Sequence, residues 1–311
     1  MMESTGLDRH VDPGAVNTWL ERRRASRFQT MTQAEGNRWI ARTIADGQPA
    51  AIGKIGDREC CALAAHLGLR QFYKYTWTPP SYGEADLHRQ AGVFPPVKET
   101  YARFSDLYLQ RLQFLDGCAV WRNPGESQIL ARHSPSARRM ELRALDPYFF
   151  EEPWSARLAG KRVLVIHPFA TSIGSQFARR KMVWQDAPRV LPDFEIELIR
   201  APYGFEQNEF SDWFQMLRWM EEQMEEAYQR GPFDVALIGC GAAGVPLAVK
   251  ARHLGAIGIH MGGPLQLLFG IRGRRWDQRP EFHDFYNEHW IRPLPHETPE
   301  CAPRVDRGGY W

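Results

Sequence analysis

The chain has no surplus of one charge, no long apolar run and no regular set of cysteines, and each absence removes a class of function. Lys and Arg number 39 against 37 Asp and Glu, a formal net charge of +2. The summed field therefore offers no broad attraction for nucleic acid or an acidic membrane, and any anion site has to be local. No stretch approaches the ~18 apolar residues that mark a membrane span, and the opening MMESTGLDRHVDPG has no apolar signal-peptide segment. The expectation is a cytoplasmic chain with no membrane span and no nucleic-acid partner. The five cysteines, Cys60, Cys61, Cys118, Cys240 and Cys301, are odd in number and nowhere spaced C-x-x-C, which favours reduced thiols over a disulfide framework. Cys and His spacing gives no zinc signature, and H-E-x-x-H and G-x-S-x-G are both missing. Zinc-hydrolase and serine-hydrolase readings lose their usual carriers.

What is present is α/β alternation. The 311 residues, 43% of them apolar, are enough for a sizeable core. Residues 13 to 46 carry two helical patterns, with Trp19 and Leu20 in the first and Trp39, Ile40 and Ile44 in the second. Pro49 to Ile55 reads as a buried strand, Gly56 as its turn and Arg58 to Leu67 as a helix. Trp77 to Pro96, with Pro79-Pro80, Gly83 and Pro95-Pro96, reads as a long loop, either a lid or a plain connection. Tyr101, Phe104, Tyr108, Leu112 and Leu115 repeat at helical spacing before a strand at Cys118 to Trp121. From Arg162 the alternation is regular, with strands at Arg162–His167, Phe194–Ile199, Phe233–Ile238 and Ala256–His260 separated by helical patterns. Such alternation predicts a Rossmann-like, mostly parallel sheet with helices on both faces, preceded by N-terminal helices. The closing Gly308-Gly309-Tyr310-Trp311 carries two aromatics that imply a docked tail.

Three junctions carry chemistry. Strand Phe233–Ile238 runs into Gly239-Cys240-Gly241-Ala242-Ala243-Gly244 and then a helix, the order a G-x-G-x-x-G phosphate turn requires. Gly239 suits the tight turn, Gly241 a close ligand and Gly244 close helix packing, while free N–H groups at the helix start attract an anion. A dinucleotide site also wants an acid at the end of the next strand, and that strand ends His260-Met261-Gly262-Gly263. Its absence argues against an NAD(P)-dependent oxidoreductase. At Lys54-Ile55-Gly56-Asp57-Arg58-Glu59 two carboxylates share a strand-to-helix turn. They suit Mg²⁺ or Mn²⁺ held together with substrate phosphates, or else a helix N-cap and a favourable first-turn charge. His167 closes a strand and Gln176 lies on the helix after it, where ligands of open α/β sheets bind.

The Gly56-Asp57-Arg58-Glu59 turn, the stretch Ile238 to Ala248 and the run GGPLQLLFGIRG from Gly262 to Gly273 resemble the bacterial glycosyltransferases of the GT-D fold, over roughly residues 50 to 275. The family pattern reads Arg, any residue, Gly-Asp-Gly-Glu, and this chain has Lys54 and Arg58 at the arginine and second-glycine places. The resemblance implies one GT-D-like unit over 1–311, with an N-terminal α/β half (1–155) carrying Asp-x-Glu, a Rossmann-like half (156–275) and a docked tail (276–311). It also implies transfer of a sugar from a nucleoside-diphosphate sugar, UDP-sugar above all, to a glycan or glycoprotein acceptor in bacterial polysaccharide or glycoprotein assembly. Asp57 and Glu59 become the ligands of Mn²⁺ or Mg²⁺. Gly239, Gly241, Gly244, Gln176, Gly262, Gly263 and Arg272 become donor contacts, with Arg274 and Arg275 as possible supplements. Glu206, Asp212 and His167 are the nameable acceptors of the substrate's proton. A catalytically silent sugar-nucleotide module is the alternative that Arg58 keeps open.

Overall fold

Val163-Leu164-Val165-Ile166 and Val235-Ala236-Leu237-Ile238 are apolar and fully buried at every position, the pattern of strands covered on both faces. The computed structural model describes residues 12–69, 71–73, 76–78, 84–205 and 209–311. Within them lie β1 (Thr30–Met31), β2 (Ala50–Gly53), β3 (Gln71–Tyr73), β4 (Thr76–Thr78) and β5 (Gly117–Val120). β6 (Arg138–Glu141), β7 (Arg162–His167), β8 (Glu195–Arg200), β9 (Val235–Ile238) and β10 (Ile257–His260) follow. β3 and β4 pair only with each other, antiparallel. The other eight make one sheet in the order β1-β6-β5-β2-β10-β9-β7-β8, and every pairing in it is parallel. The architecture is α/β and Rossmann-like.

Strand alternation sorts the core into two layers. Leu164, Ile166, Ala236 and Ile238 face one layer with helices Lys98–Leu112, Trp213–Arg230 and Gly244–Leu254. Val163, Val165, Val235 and Leu237 face the other with helices Gln33–Asp46 and Ala170–Ala178 and much of the C-terminal segment. β2 pairs with β10, Ile52 opposite Ile259, so the sheet runs unbroken from the N-terminal half into the C-terminal half. The chain leaves β2 for β5 on one side, while β10 and β9 extend the other. Ligands of doubly wound sheets sit outside the strands' carboxyl ends at such a reversal.

Two expectations change. The connection from Trp77 to Pro96 holds the end of β4 and a helix at Glu84–Ala91. Its Leu87 and Ala91, one turn apart, are buried and outweigh the flanking prolines; residues 79–83 lie outside the described set. β1 and β6 were not expected, being two residues long and Arg-rich respectively.

The C-terminal segment docks. Glu297, wholly buried, accepts from the Thr171 N–H at 2.7 Å and the Ser172 N–H at 3.2 Å, and also from the Ser172 hydroxyl. It thereby caps helix Ala170–Ala178 with a carboxylate, the charge a helix start favours. Its carbonyl accepts from Tyr203 Oη at 2.6 Å and Trp311 Nε1 at 2.9 Å. Among the described residues no helix is long and apolar enough to cross a membrane.

Candidate functional site

The carboxyl ends of β2, β5, β7, β9 and β10 open into one cleft of about 640 Å³. Its wall also takes in Asp146 after β6, Tyr203 and Phe205 after β8, and Trp276, Tyr310 and Trp311 from the C-terminal segment. The volume lies within the range of small-molecule sites.

β2 delivers Lys54, which is 7% exposed. Its Nζ lies 4.9 Å from the centre of the Trp121 ring, a cation–π arrangement. Burial pushes its ammonium pKa down, and the carboxylates of Asp146 and Glu59 oppose that shift. Gly56 starts helix Asp57–His66. A β-carbon on Gly56 would lie 2.1 Å from Glu59 Oε2, so the missing side chain is what lets Glu59 fold back over the turn. Glu59 is buried, and burial raises its pKa, opposed by its own backbone N–H and by Lys54. Asp57 is half-exposed and pairs with Arg58 Nε at 3.3 Å, while the same Nε donates to Gln90 Oε1 at 2.7 Å. Arg58 thus fastens helix Glu84–Ala91 to the acidic turn.

Among the described residues no three or more His, Cys, Asp or Glu are grouped to hold a metal ion. Two carboxylates beside an open cleft do suit Mg²⁺ or Mn²⁺ that takes its remaining ligands from a substrate phosphate and water.

The glycine turn makes room for its neighbours. Gly239 and Gly241 line the cleft, whereas Gly244 is buried and does not line it. A β-carbon on Gly239 would meet His167 Cδ2 at 2.6 Å, on Gly241 the Ala91 carbonyl at 2.9 Å, and on Gly244 the His260 ring at 1.9 Å. Gly241 in addition has φ +58, where a side chain is strained. Gly262 and Gly263 also line the cleft, close against Lys54 and Tyr310 respectively.

The remaining expected residues disperse. Gln176 is wholly buried and donates to the carbonyls of Gly270 at 3.1 Å and His289 at 2.9 Å, a structural tie outside the cleft. Arg272 pairs with Asp277 at 3.3 Å beside Tyr286. Of the arginines in that loop it is Arg275, paired with Asp306 at 3.0 Å, that lines the cleft. Asp212 caps helix Trp213–Arg230 by accepting from the Gln215 N–H at 2.7 Å and does not line the cleft. Glu206 lies outside the described residues. His167 does line it, 3% exposed, and burial holds its pKa down at about 3. So weak a base is poorly matched to proton removal near neutral pH.

Sequence reasoning missed Asp146, Arg143, Arg279 and His260. Asp146 is half-buried on the cleft wall, and burial raises it to about 6 against the pull of Lys54, Arg143 and Arg279. His260 had a usable signal, since it ends β10 just before two glycines. Asp146 had none, because it follows a strand that the local sequence conceals. Compared with models of protein families, with curated proteins and with solved structures, the chain shows no match.

Proposed function

We propose that the chain is a glycosyltransferase that binds a nucleoside-diphosphate sugar in this cleft and moves the sugar to a hydroxyl of a glycan or glycoprotein acceptor. The observation that carries the reading is the cleft's mixture of groups at the carboxyl edge of a parallel sheet: cations at Lys54, Arg58, Arg143 and Arg275, and aromatic faces at Trp121, Tyr203, Trp276 and Trp311. Cations suit a diphosphate and aromatic faces suit a base or a sugar ring. The resemblance to bacterial GT-D glycosyltransferases supports the same reading.

As the bond from the sugar's anomeric carbon to the diphosphate oxygen breaks, its electron pair goes to that oxygen. Lys54 and the arginines stabilise the charge that develops there. The acceptor oxygen bonds to the anomeric carbon, and Asp146 takes its proton. A carboxyl raised to about 6 is better matched to that task than His167. Mg²⁺ or Mn²⁺ entering with the diphosphate would be held by Asp57 and Glu59 and would neutralise phosphate charge.

A sugar-nucleotide-binding module without transfer is the second reading, favoured by the hold of Arg58 on Asp57. Calorimetry with UDP, GDP, their sugar conjugates and NAD, with and without Mn²⁺, joined to an assay of sugar release, tests both. Sugar-nucleotide binding with release supports the transferase, and binding without release or transfer supports the module. NAD binding, or no nucleotide binding at all, sinks both.

A further inference from the structure

Two imidazoles reach the cleft from the ends of β7 and β10, the two strands that flank β9, and the main chain fixes each in a different tautomer. The Phe169 N–H donates to His167 Nδ1 at 3.0 Å. A peptide N–H can only donate, so Nδ1 carries the lone pair and the proton sits on Nε2. His260 Nδ1 lies 3.3 Å from the Ile238 carbonyl oxygen. A carbonyl can only accept, so here Nδ1 carries the proton and Nε2 the lone pair. The two residues are 3% and 4% exposed, and burial brings both down to about 3, helped at His260 by the charge of Lys54. Both are therefore neutral at physiological pH. Each rests on a glycine of one turn, His167 on Gly239 and His260 on Gly244. Neither Nε2 has a hydrogen-bond partner among the described residues, and both histidines line the cleft.

We propose that His167 and His260 form a hydroxyl-reading subsite, His167 donating through Nε2–H and His260 accepting at Nε2, and that the substrate's uncharged sugar is the part seated there. The inference rests on the nucleotide-sugar reading and names which portion of that substrate meets the imidazoles. A phosphate or carboxylate oxygen only accepts and would face the His260 lone pair with nothing to give it. An ammonium only donates and would face the His167 N–H. A sugar hydroxyl both donates and accepts, so hydroxyls satisfy both imidazoles at once. The diphosphate is left to the cations. His167 is then a binding group and not the base.

The tautomers are read first, without ligand, from ¹⁵N–¹H correlation spectra of the imidazoles in the full chain between pH 5 and 8. The expected result is His167 as the Nε2–H form, His260 as the Nδ1–H form, and no titration of either. The opposite tautomer at either residue, or titration in that range, overturns the inference. Calorimetry then compares UDP-glucose, UDP-galactose and GDP-mannose with UDP and GDP. His167→Phe and His260→Phe are each expected to weaken the best-bound sugar conjugate about tenfold, the loss of one hydrogen bond, while UDP and GDP change by less than about twofold. His167→Gln, whose amide N–H reaches the place of Nε2, is expected to recover what His167→Phe loses. Equal losses for the nucleotide and its sugar conjugate overturn the subsite. If the wild type binds no nucleotide, the proposed function fails separately, and the spectra still decide the histidine pairing.

Discussion

The imidazole of His260 stands where a side chain on Gly244 would be: a β-carbon there would lie 1.9 Å from Nδ1 and 2.0 Å from Cε1. The third glycine of the G-x-G-x-x-G turn does permit close helix-to-strand packing, and what it admits is a ring from β10. Gly53 faces the same side chain from β2, where an added β-carbon would lie 3.1 Å from the His260 β-carbon. The ring is thus confined between a strand and a helix start, which is what holds its Nδ1 on the Ile238 carbonyl.

Gly244→Ala has to move that ring or the helix. Overpacking of this kind costs about 1–3 kcal/mol, and urea unfolding should show a loss of that size together with weaker sugar-nucleotide binding. An unfolding midpoint equal to the wild type would mean that His260 is not held against the turn.

Glu297→Ala removes a buried carboxylate that joins the C-terminal segment to the start of helix Ala170–Ala178. The Thr171 and Ser172 N–H groups and the Ser172 hydroxyl lose their acceptor in a buried place, which costs about 2 kcal/mol. Thermal unfolding should register the loss. Intrinsic tryptophan fluorescence, to which Trp311 contributes, should shift if the segment loosens, and unchanged stability would show that the cap contributes nothing.

How far the sequence reveals this arrangement depends on how local each feature is. β7 and β9 declare themselves because four consecutive apolar residues have no other economical place than a two-sided sheet. β6 hides because Arg138 and Arg139 look like solvated residues, yet Arg139 is 7% exposed and its guanidinium lies 3.6 Å from the Phe28 ring centre. Asp57, Glu59, His167 and the glycine turn are legible because strand-to-helix junctions show in a few neighbouring residues. Asp146 is not, since its place on the cleft depends on β6 pairing with β5. Gln176 and Arg272 look like ligand contacts in sequence, and only tertiary packing turns them toward the Gly270 carbonyl and Asp277.

Glu126 predicts a pH effect on stability. It is buried, accepts from the N–H groups of Trp121 at 3.1 Å and Asn123 at 3.2 Å, and burial raises it from 4.5 to about 7 against those hydrogen bonds. A folded value above the unfolded one means that the folded state holds the extra proton between them. The stabilisation is complete below about 4.5 and is lost as pH rises toward 7. Glu126→Gln cannot ionise, so its stability relative to the wild type should rise with pH over that window, by on the order of 1 kcal/mol per pH unit. Urea unfolding of both proteins at pH 5, 6, 7 and 8 checks the sign, and a constant difference would show that Glu126 is already ionised at pH 5.

For Asp146, the proposed chemistry needs the ionised carboxylate. With the group raised to about 6, kcat/KM for sugar transfer should climb as pH rises through that value and then level. Asp146→Asn should lower the plateau by roughly 10²- to 10⁴-fold, the usual contribution of a general base, and abolish the climb. A variant that keeps the wild-type pH profile would assign the base elsewhere.

Arg58 is where metal assistance and its absence predict opposite outcomes. Its Nε holds Asp57 Oδ2 at 3.3 Å and Gln90 Oε1 at 2.7 Å, so an ion arriving with the diphosphate has to compete with a guanidinium for Asp57. Arg58→Gln removes the competitor and also removes a cation that attracts phosphate. Without metal, UDP binding by the variant should weaken, because one positive charge near the diphosphate is gone. With Mn²⁺ it should tighten several-fold over the wild type, because Asp57 is released to the ion. Calorimetry in both conditions separates the two effects. Equal weakening with and without Mn²⁺ would make Arg58 itself the phosphate contact and leave Asp57 as the residue that positions it.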